Sequence, residues 1–183
     1  TDPYEVMSAE ILLQRTRANT VEPVFNQFLD LYPDLENLAS AEKDDIAKLL
    51  EPLGLHNRRA SSLVKIGERL GEGEVPKTEK ELLELPHVGK YVANAVLCFA
   101  YGKPRPIVDE NVIRVYQRVF DIKHDRQRDP ELWKFAQKML PEGDTKEYNL
   151  ALLDFAAKLC TAKNPRCHDC FARDYCACFS REH

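Results

Sequence analysis

The chain has 183 residues, with 26 Lys and Arg against 30 Asp and Glu, for a net charge of −4. That length can bury a full core as one domain or two small lobes, and no apolar run approaches membrane-spanning length. With no secretory signal, a soluble intracellular protein is expected, and the negative balance excludes a general polyanion binder, so contact with nucleic acid needs a local basic face.

Few glycines, no alternating strand pattern and no internal repeat point to an all-α chain. Val6, Met7, Ile11 and Leu13 predict a first helix from Pro3 to about Arg17. Glu10 is its odd member. The neighbours three and four residues away, Val6, Met7, Leu13 and Gln14, put its carboxylate on the mainly apolar face. Burial disfavours the charged form, so Glu10 is either a candidate general acid or a core carboxylate paired with an Arg or a backbone group.

A second helix is expected over 23–32, opened by Pro23 and stopped by Pro33. Ser40 reads as the cap of a third, with Ile46, Leu49 and Leu50 facing in and Pro52-Leu53-Gly54 as its break. Leu55-His56-Asn57-Arg58 reads as a polar turn before a helix over 60–70, and Gly71-Glu72-Gly73 as a loop. Thr78 caps a short helix that ends at Leu85-Pro86.

Leu85-Pro86-His87-Val88-Gly89-Lys90 is a tight turn, followed by an apolar helix over 91–101. Such a hairpin can bring main-chain N–H groups to an outer surface, where a helix N-terminus favours phosphate. Pro104 and Pro106 force an extended link, and Asp109 opens an amphipathic helix to Phe120. Asp ahead of Glu110-Asn111-Val112 is an ordinary N-cap, and a carboxylate at that mouth can also do chemistry. A charged loop over 121–129 precedes helices over 130–140 and 145–159. The architecture is bundle-like, with short connections. Candidates for a basic face are Arg15 and Arg17, Arg58, Arg59 and Lys65, Lys90, Lys103 and Arg105, and Arg114 and Arg118.

Five of the six cysteines fall at the C-terminal end. In an intracellular protein that clustering reads as metal ligation before disulfides. Cys160, Cys167, Cys170 and Cys176 follow C-x6-C-x2-C-x5-C, and four such thiolates can wrap one cluster. Structural zinc more often uses two C-x-x-C pairs, and here there is one. Cys178 lies outside the pattern, and Cys98 in the apolar helix reads as core packing.

The hairpin, the Pro-rich loop ending in Asp109 and the cysteine spacing together resemble the helix-hairpin-helix-GPD superfamily of DNA glycosylases, over essentially the whole chain. The departure is His87, where that family usually has Gly; His tolerates positive φ better than most residues. The resemblance implies a two-lobed fold: a helical barrel over 18–122, and an iron–sulfur domain from 1–17 with 123–183, with the active site between them. It also implies a further helix before Thr1, and a 4Fe–4S cluster on Cys160, Cys167, Cys170 and Cys176 that sets Lys158, Lys163 and Arg166 against DNA.

The implied chemistry is release of a base from deoxyribose, which builds positive charge on the sugar. Asp109 matches the essential Asp, stabilising that charge and activating water, with Asn111 as companion amide and Glu10 at the base. Bifunctional members carry Lys where this chain has Tyr91. Lys90 is turned about 100° away on the helix, so base release with little strand cleavage is expected. The base must first be flipped out of the stack. Gln14-Arg15-Thr16 and Leu55-His56-Asn57-Arg58 match the wedge positions, and His87, Val88, Gly89 and Lys90 the phosphate-binding hairpin.

Gly54-Leu55-His56-Asn57-Arg58-Arg59-Ala60 looks like the loop of archaeal-type G·T mismatch thymine glycosylases, as does Asn149-Leu150-Ala151-Leu152-Leu153-Asp154-Phe155. The paired tyrosines of MutY-like adenine glycosylases are missing, and no domain for reading 8-oxoguanine follows the cysteines; Gln14 is shared with the adenine group. The expectation is a monomeric, monofunctional glycosylase in the prokaryotic cytoplasm or nucleoid, removing thymine or uracil opposite guanine in double-stranded DNA. Its alternatives are an adenine glycosylase acting opposite G or 8-oxoguanine, and a non-catalytic DNA-binding iron–sulfur module.

Overall fold

The computed structural model describes residues 1–124 and 126–182, and among them every regular element is helical, as expected. The chain divides after Tyr101 into two compact units. None of the described helices is long and apolar enough to cross a membrane.

The first unit holds α1 (Pro3–Leu13), α2 (Ala18–Leu31), α3 (Leu35–Ala39), α4 (Lys43–Leu50), α5 (His56–Leu70), α6 (Glu79–Leu83) and α7 (Lys90–Ala95). From α7 the chain runs into a π turn, Val96–Ala100, closed by Tyr101 N–H donating to Val96 O at 3.3 Å. Asp2 starts α1 by accepting from the N–H groups of Tyr4 and Glu5, which offsets the unsatisfied donors of a first turn. Met7, Ile11, Phe28, Leu50, Leu63 and Leu97 lie in one apolar core, each stabilising by about 2 kcal/mol. Helix α1 packs on α2, α7 and the π turn, while α5 packs on α3 and α4. Gly67 makes that last approach possible: a Cβ there would fall 2.7 Å from Ala39 N and Leu38 C.

Several boundaries differ from the sequence reading. Helix α1 ends at Leu13, short of Arg17, because Arg15 turns the backbone left-handed at φ 62°. Helix α2 begins at Ala18, so Pro23 lies inside it; the carbonyl that its missing N–H would have bonded belongs to Asn19, in an exposed first turn open to solvent. Ser40 does not cap α4. It closes α3, a helix the pattern did not suggest, whose own cap is Asp34. Helix α4 follows Glu42 with no side-chain cap. His56, Asn57 and Arg58 form the first turn of α5, not a turn ahead of it. Thr78 caps α6 as expected, with Glu81 N–H bonded to its hydroxyl.

The second unit holds α8 (Glu110–Phe120), α9 (Pro130–Lys138), α10 (Thr145–Lys158), short 3-10 turns at Cys167–Asp169 and Arg173–Tyr175, and α11 (Ala177–Glu182). Val112, Tyr116, Leu132 and Trp133 form one core cluster, with Phe135 edge-on to Tyr116 at 5.2 Å. Val115, Phe155 and Ala156 form another, and Cys160 and Cys170 pack against it.

Candidate active site and nucleic-acid interface

Three residues other than glycine adopt a left-handed backbone around one pocket in the first unit: Arg15 (φ 62°), Leu55 (φ 50°) and His87 (φ 61°). The pocket has a volume of about 120 Å³, and Ile11, Gln14 and Arg58 also line it. Such conformations cost of order 1 kcal/mol or more each and persist only where the surroundings impose them. Arg59 imposes two of them. It is 4% exposed and reaches both loops, donating from Nη1 to Leu53 O at 2.9 Å and Gly54 O at 2.5 Å, and from Nη2 to Gln14 O at 2.6 Å and Thr16 Oγ1 at 2.8 Å. Thr16 Oγ1 donates in turn to Leu53 O at 3.1 Å.

Arg59 is therefore not part of a basic surface; it clamps the two segments that carry Gln14, Arg15, Leu55, His56 and Asn57. Nothing in the sequence separated it from Arg58. On the outer side Leu55 stays 50% exposed, an apolar side chain held out at a turn, and Gln14, Arg15 and Asn57 are exposed beside it.

At the hairpin, Leu85 and Val88 are buried as anchors, so Val88 offers only its main chain outward. His87 takes the positive φ expected of it and accepts from Arg58 Nε and Nη2 at 3.4 Å. Burial, then Arg58 and Lys65, hold the His87 imidazole below its ordinary pKa. Gly89 caps α7 in an extended conformation, and a Cβ there would meet nothing within 4 Å. The protein's own packing does not require glycine there. A partner approaching the hairpin closely would.

Glu10 is 8% exposed on α1, which packs on the α7 helix that carries half-buried Tyr91. Lys90 does not take the place of Tyr91: its Nζ lies 3.9 Å from Glu79 Oε1 on the neighbouring α6.

In the second unit Asp109 is the N-cap of α8, Oδ1 accepting from Val112 N–H at 2.7 Å and Oδ2 from Asn111 Nδ2 at 2.8 Å. Arg114 Nη1 donates to Asn111 Oδ1, and its Nε and Nη2 donate to Cys160 O and Ala156 O, all at 2.9 Å. Arg118, one turn on, donates to Thr161 O at 2.7 Å and to Cys160 Sγ at 3.6 Å. The pair therefore does not form a basic face; both grip the chain that enters the cysteines.

The Cys176 thiol donates to Arg118 O at 3.4 Å. Burial, then the neighbouring Cys160, Cys176 and Cys170, push the Cys167 thiol up, so the four sulfurs lie in each other's field, and none is in a disulfide. Among the described residues no group of three His, Cys, Asp or Glu side chains is drawn together tightly enough to hold a single metal ion. The four thiols, free and half-buried, are donors of the type that would hold an iron–sulfur cluster. Near the cysteines, Lys158 pairs with Asp154 at 2.6 Å and Arg166 with Asp169 at 3.1 Å, while Lys163 is exposed.

The family model described as HhH-GPD superfamily base excision DNA repair protein matches residues 8–141. The thymine/uracil-DNA glycosylase of Pyrobaculum aerophilum is 40% identical over 98% of this chain and 82% of its own length. Among solved structures, a thermostable thymine-DNA glycosylase superposes with a TM-score of 0.93 at 34% identity, covering 98% of this chain and 85% of that one. A non-covalent endonuclease III–DNA complex gives 0.85 at 25% identity, covering 100% and 86%. The adenine DNA glycosylase of Buchnera aphidicola is 31% identical over 96% of this chain and 51% of its own.

Proposed function

The chain belongs to the HhH-GPD superfamily of base excision DNA repair proteins, and on that footing we propose that it is a monofunctional DNA glycosylase, hydrolysing the N-glycosidic bond of thymine, and of uracil, mispaired with guanine. The observation that carries the chemistry is the Asp109 carboxylate, fixed by Val112 N–H and the Asn111 amide at the head of α8. A carboxylate held this way needs no reorganisation to meet the positive charge that builds on the sugar. Water adds to the sugar carbon and yields a proton to Asp109; the carbon–nitrogen bond breaks, and the base leaves with a proton from Glu10. Tyr91 faces the flipped sugar or base and forms no Schiff base, so the strand stays intact.

Double-stranded DNA carrying the mispair is the partner. Its backbone is taken by the main chain of 87–90, and the gap left by the flipped base is filled from Gln14-Arg15-Thr16 and Leu55-His56-Asn57-Arg58. The exposed Leu55, on a turn stiffened by Arg59, supports that wedge role. Cys160, Cys167, Cys170 and Cys176 hold a 4Fe–4S cluster, which supplies cross-linking of the loop and no step of the reaction. The barrel over 18–122 and the cluster domain from 1–17 with 123–183 belong to the same proposal. Thymine is favoured over adenine by the higher identity to the thymine/uracil relative, 40% against 31%.

Single-turnover assays on duplexes with G·T, G·U, G·A and 8-oxoG·A pairs, with and without alkali, test this. Alkali-dependent breaks at T and U opposite G are expected. Breaks at A would move the protein to the adenine group, and breaks without alkali would refute the absence of lyase activity.

A further inference from the structure

Pro104 and Pro106 have no N–H, and the segment entering Asp109 pairs with no strand, so its remaining main-chain groups need side-chain partners. Three amides supply them. Gln137 Nε2, on α9, donates to Pro104 O at 3.1 Å. Asn149, on α10, donates from Nδ2 to Arg105 O at 2.9 Å and accepts Ile107 N–H at 3.0 Å. Gln127, in the loop before α9, donates to Val108 O at 2.9 Å. The four residues 104, 105, 107 and 108 are thus gripped one after another, up to the residue before Asp109. Asn149 is the anchor: it is fully buried and holds the chain on both sides of Pro106, where the following Ile107 and Val108 are themselves buried.

We propose that Asn149 is a positioning residue for Asp109. This rests on the role proposed above for that carboxylate. Hydrogen bonds on both sides of Pro106 fix the path of the chain two residues before Asp109, and the cap bonds to Val112 and Asn111 then fix its side chain. Displacing a reacting group by about 1 Å can cost on the order of 100-fold in rate. An asparagine that only filled the core would affect stability and leave the Asp109-dependent rate alone.

The test compares wild type with Asn149→Leu, which keeps the volume and loses both bonds, and Asn149→Asp, which keeps the acceptor for Ile107 N–H. Each is made alone and in an Asp109→Asn background, and read by single-turnover base release from a G·U duplex, duplex affinity and melting temperature. Asn149→Leu is expected to slow release by roughly 10- to 100-fold, with affinity within about twofold and Asn149→Asp intermediate. In the Asp109→Asn background the same change costs no more than about twofold, because no carboxylate remains to be misplaced. Losses that multiply in full there, or a wild-type rate for Asn149→Leu, overturn the inference. If Asn149→Leu fails to fold, Asn149→Asp, which of the two bonds loses only that to Arg105 O, carries the same comparison. A wild-type protein that releases no base from any duplex instead overturns the role of Asp109 itself.

Discussion

Replacing Arg59 with methionine keeps most of the apolar stem and removes the guanidinium that ties Gln14 and Thr16 to Leu53 and Gly54. Of the four acceptors, Leu53 O keeps the Thr16 hydroxyl as a donor, so Gln14 O and Gly54 O are the carbonyls left bare. At about 1–3 kcal/mol each, that loss is about 2–6 kcal/mol. Two effects oppose it: burial holds the guanidinium below its ordinary basicity, and its buried Nε finds no hydrogen-bond partner among the described residues. The net destabilisation is about 2–4 kcal/mol. For a chain of this size that lowers the melting temperature by about 5–10 °C. Arg59→Lys should recover only part of this, because one ammonium cannot fork across two loops. Thermal melts of the three proteins decide it. An Arg59→Met protein melting within about 1 °C of wild type would refute the clamp.

His87→Gly should stabilise by about 0.5–1 kcal/mol by relieving the left-handed φ. The gain should grow with acidity. The folded-state pKa of His87 lies below the ordinary 6.5, so the unfolded chain binds the proton more readily and the fold loses stability as pH falls below that value; equal gains in denaturant titrations at about pH 5.5 and about pH 8 would contradict this. Gly89→Ala should leave the melting temperature within about 2 °C while weakening duplex binding in a titration, since the added methyl meets nothing inside the protein. Cys170→Ser should abolish visible absorbance and reduce iron from about four atoms per chain, and zinc in the wild-type protein by elemental analysis would sink the cluster assignment. Arg114→Leu, which frees Asn111 and the Ala156 and Cys160 carbonyls, should slow base release by about tenfold in the single-turnover assay; an unchanged rate would disconnect Asn111 from Arg114.

What the sequence made legible were features with a local physical signature. The caps at Thr78 and Asp109, the positive φ at His87 and the apolar face of α8 each follow from residue type and spacing. Pro23 and Ser40 misled because each has a second reading. Proline is tolerated one turn further into a helix when the orphaned carbonyl faces solvent, and Ser40, of a type that prefers to open helices, closes one here with its hydroxyl on Glu36 O. The roles of Arg59, Arg114 and Arg118 were hidden for a different reason. Each bonds main-chain carbonyls 42 to 46 positions away, or loops on either side of a helix, and carbonyls leave no trace in a sequence. The same holds for Asn149, which the sequence marks only as the first residue of the Asn149–Phe155 string.

The first helix finds much of its packing only near the end of its own unit. Helix α1 lies on α7 and the π turn, and Lys90–Ala100 is synthesised long after Pro3–Leu13. Closing so long a loop is entropically slow, whereas α3, α4 and α5 meet across short connections. On the ribosome α1 can dock on α2 early, but the faces it turns to α7 and the π turn stay uncovered until those later segments have been made, a window in which chaperones can bind and the chain can aggregate. We expect the element whose docking is completed last also to open early in the native state. Amide hydrogen exchange should therefore be faster along α1 than along α5, and Glu10 would be the first proposed site residue to leave its place when the fold loosens.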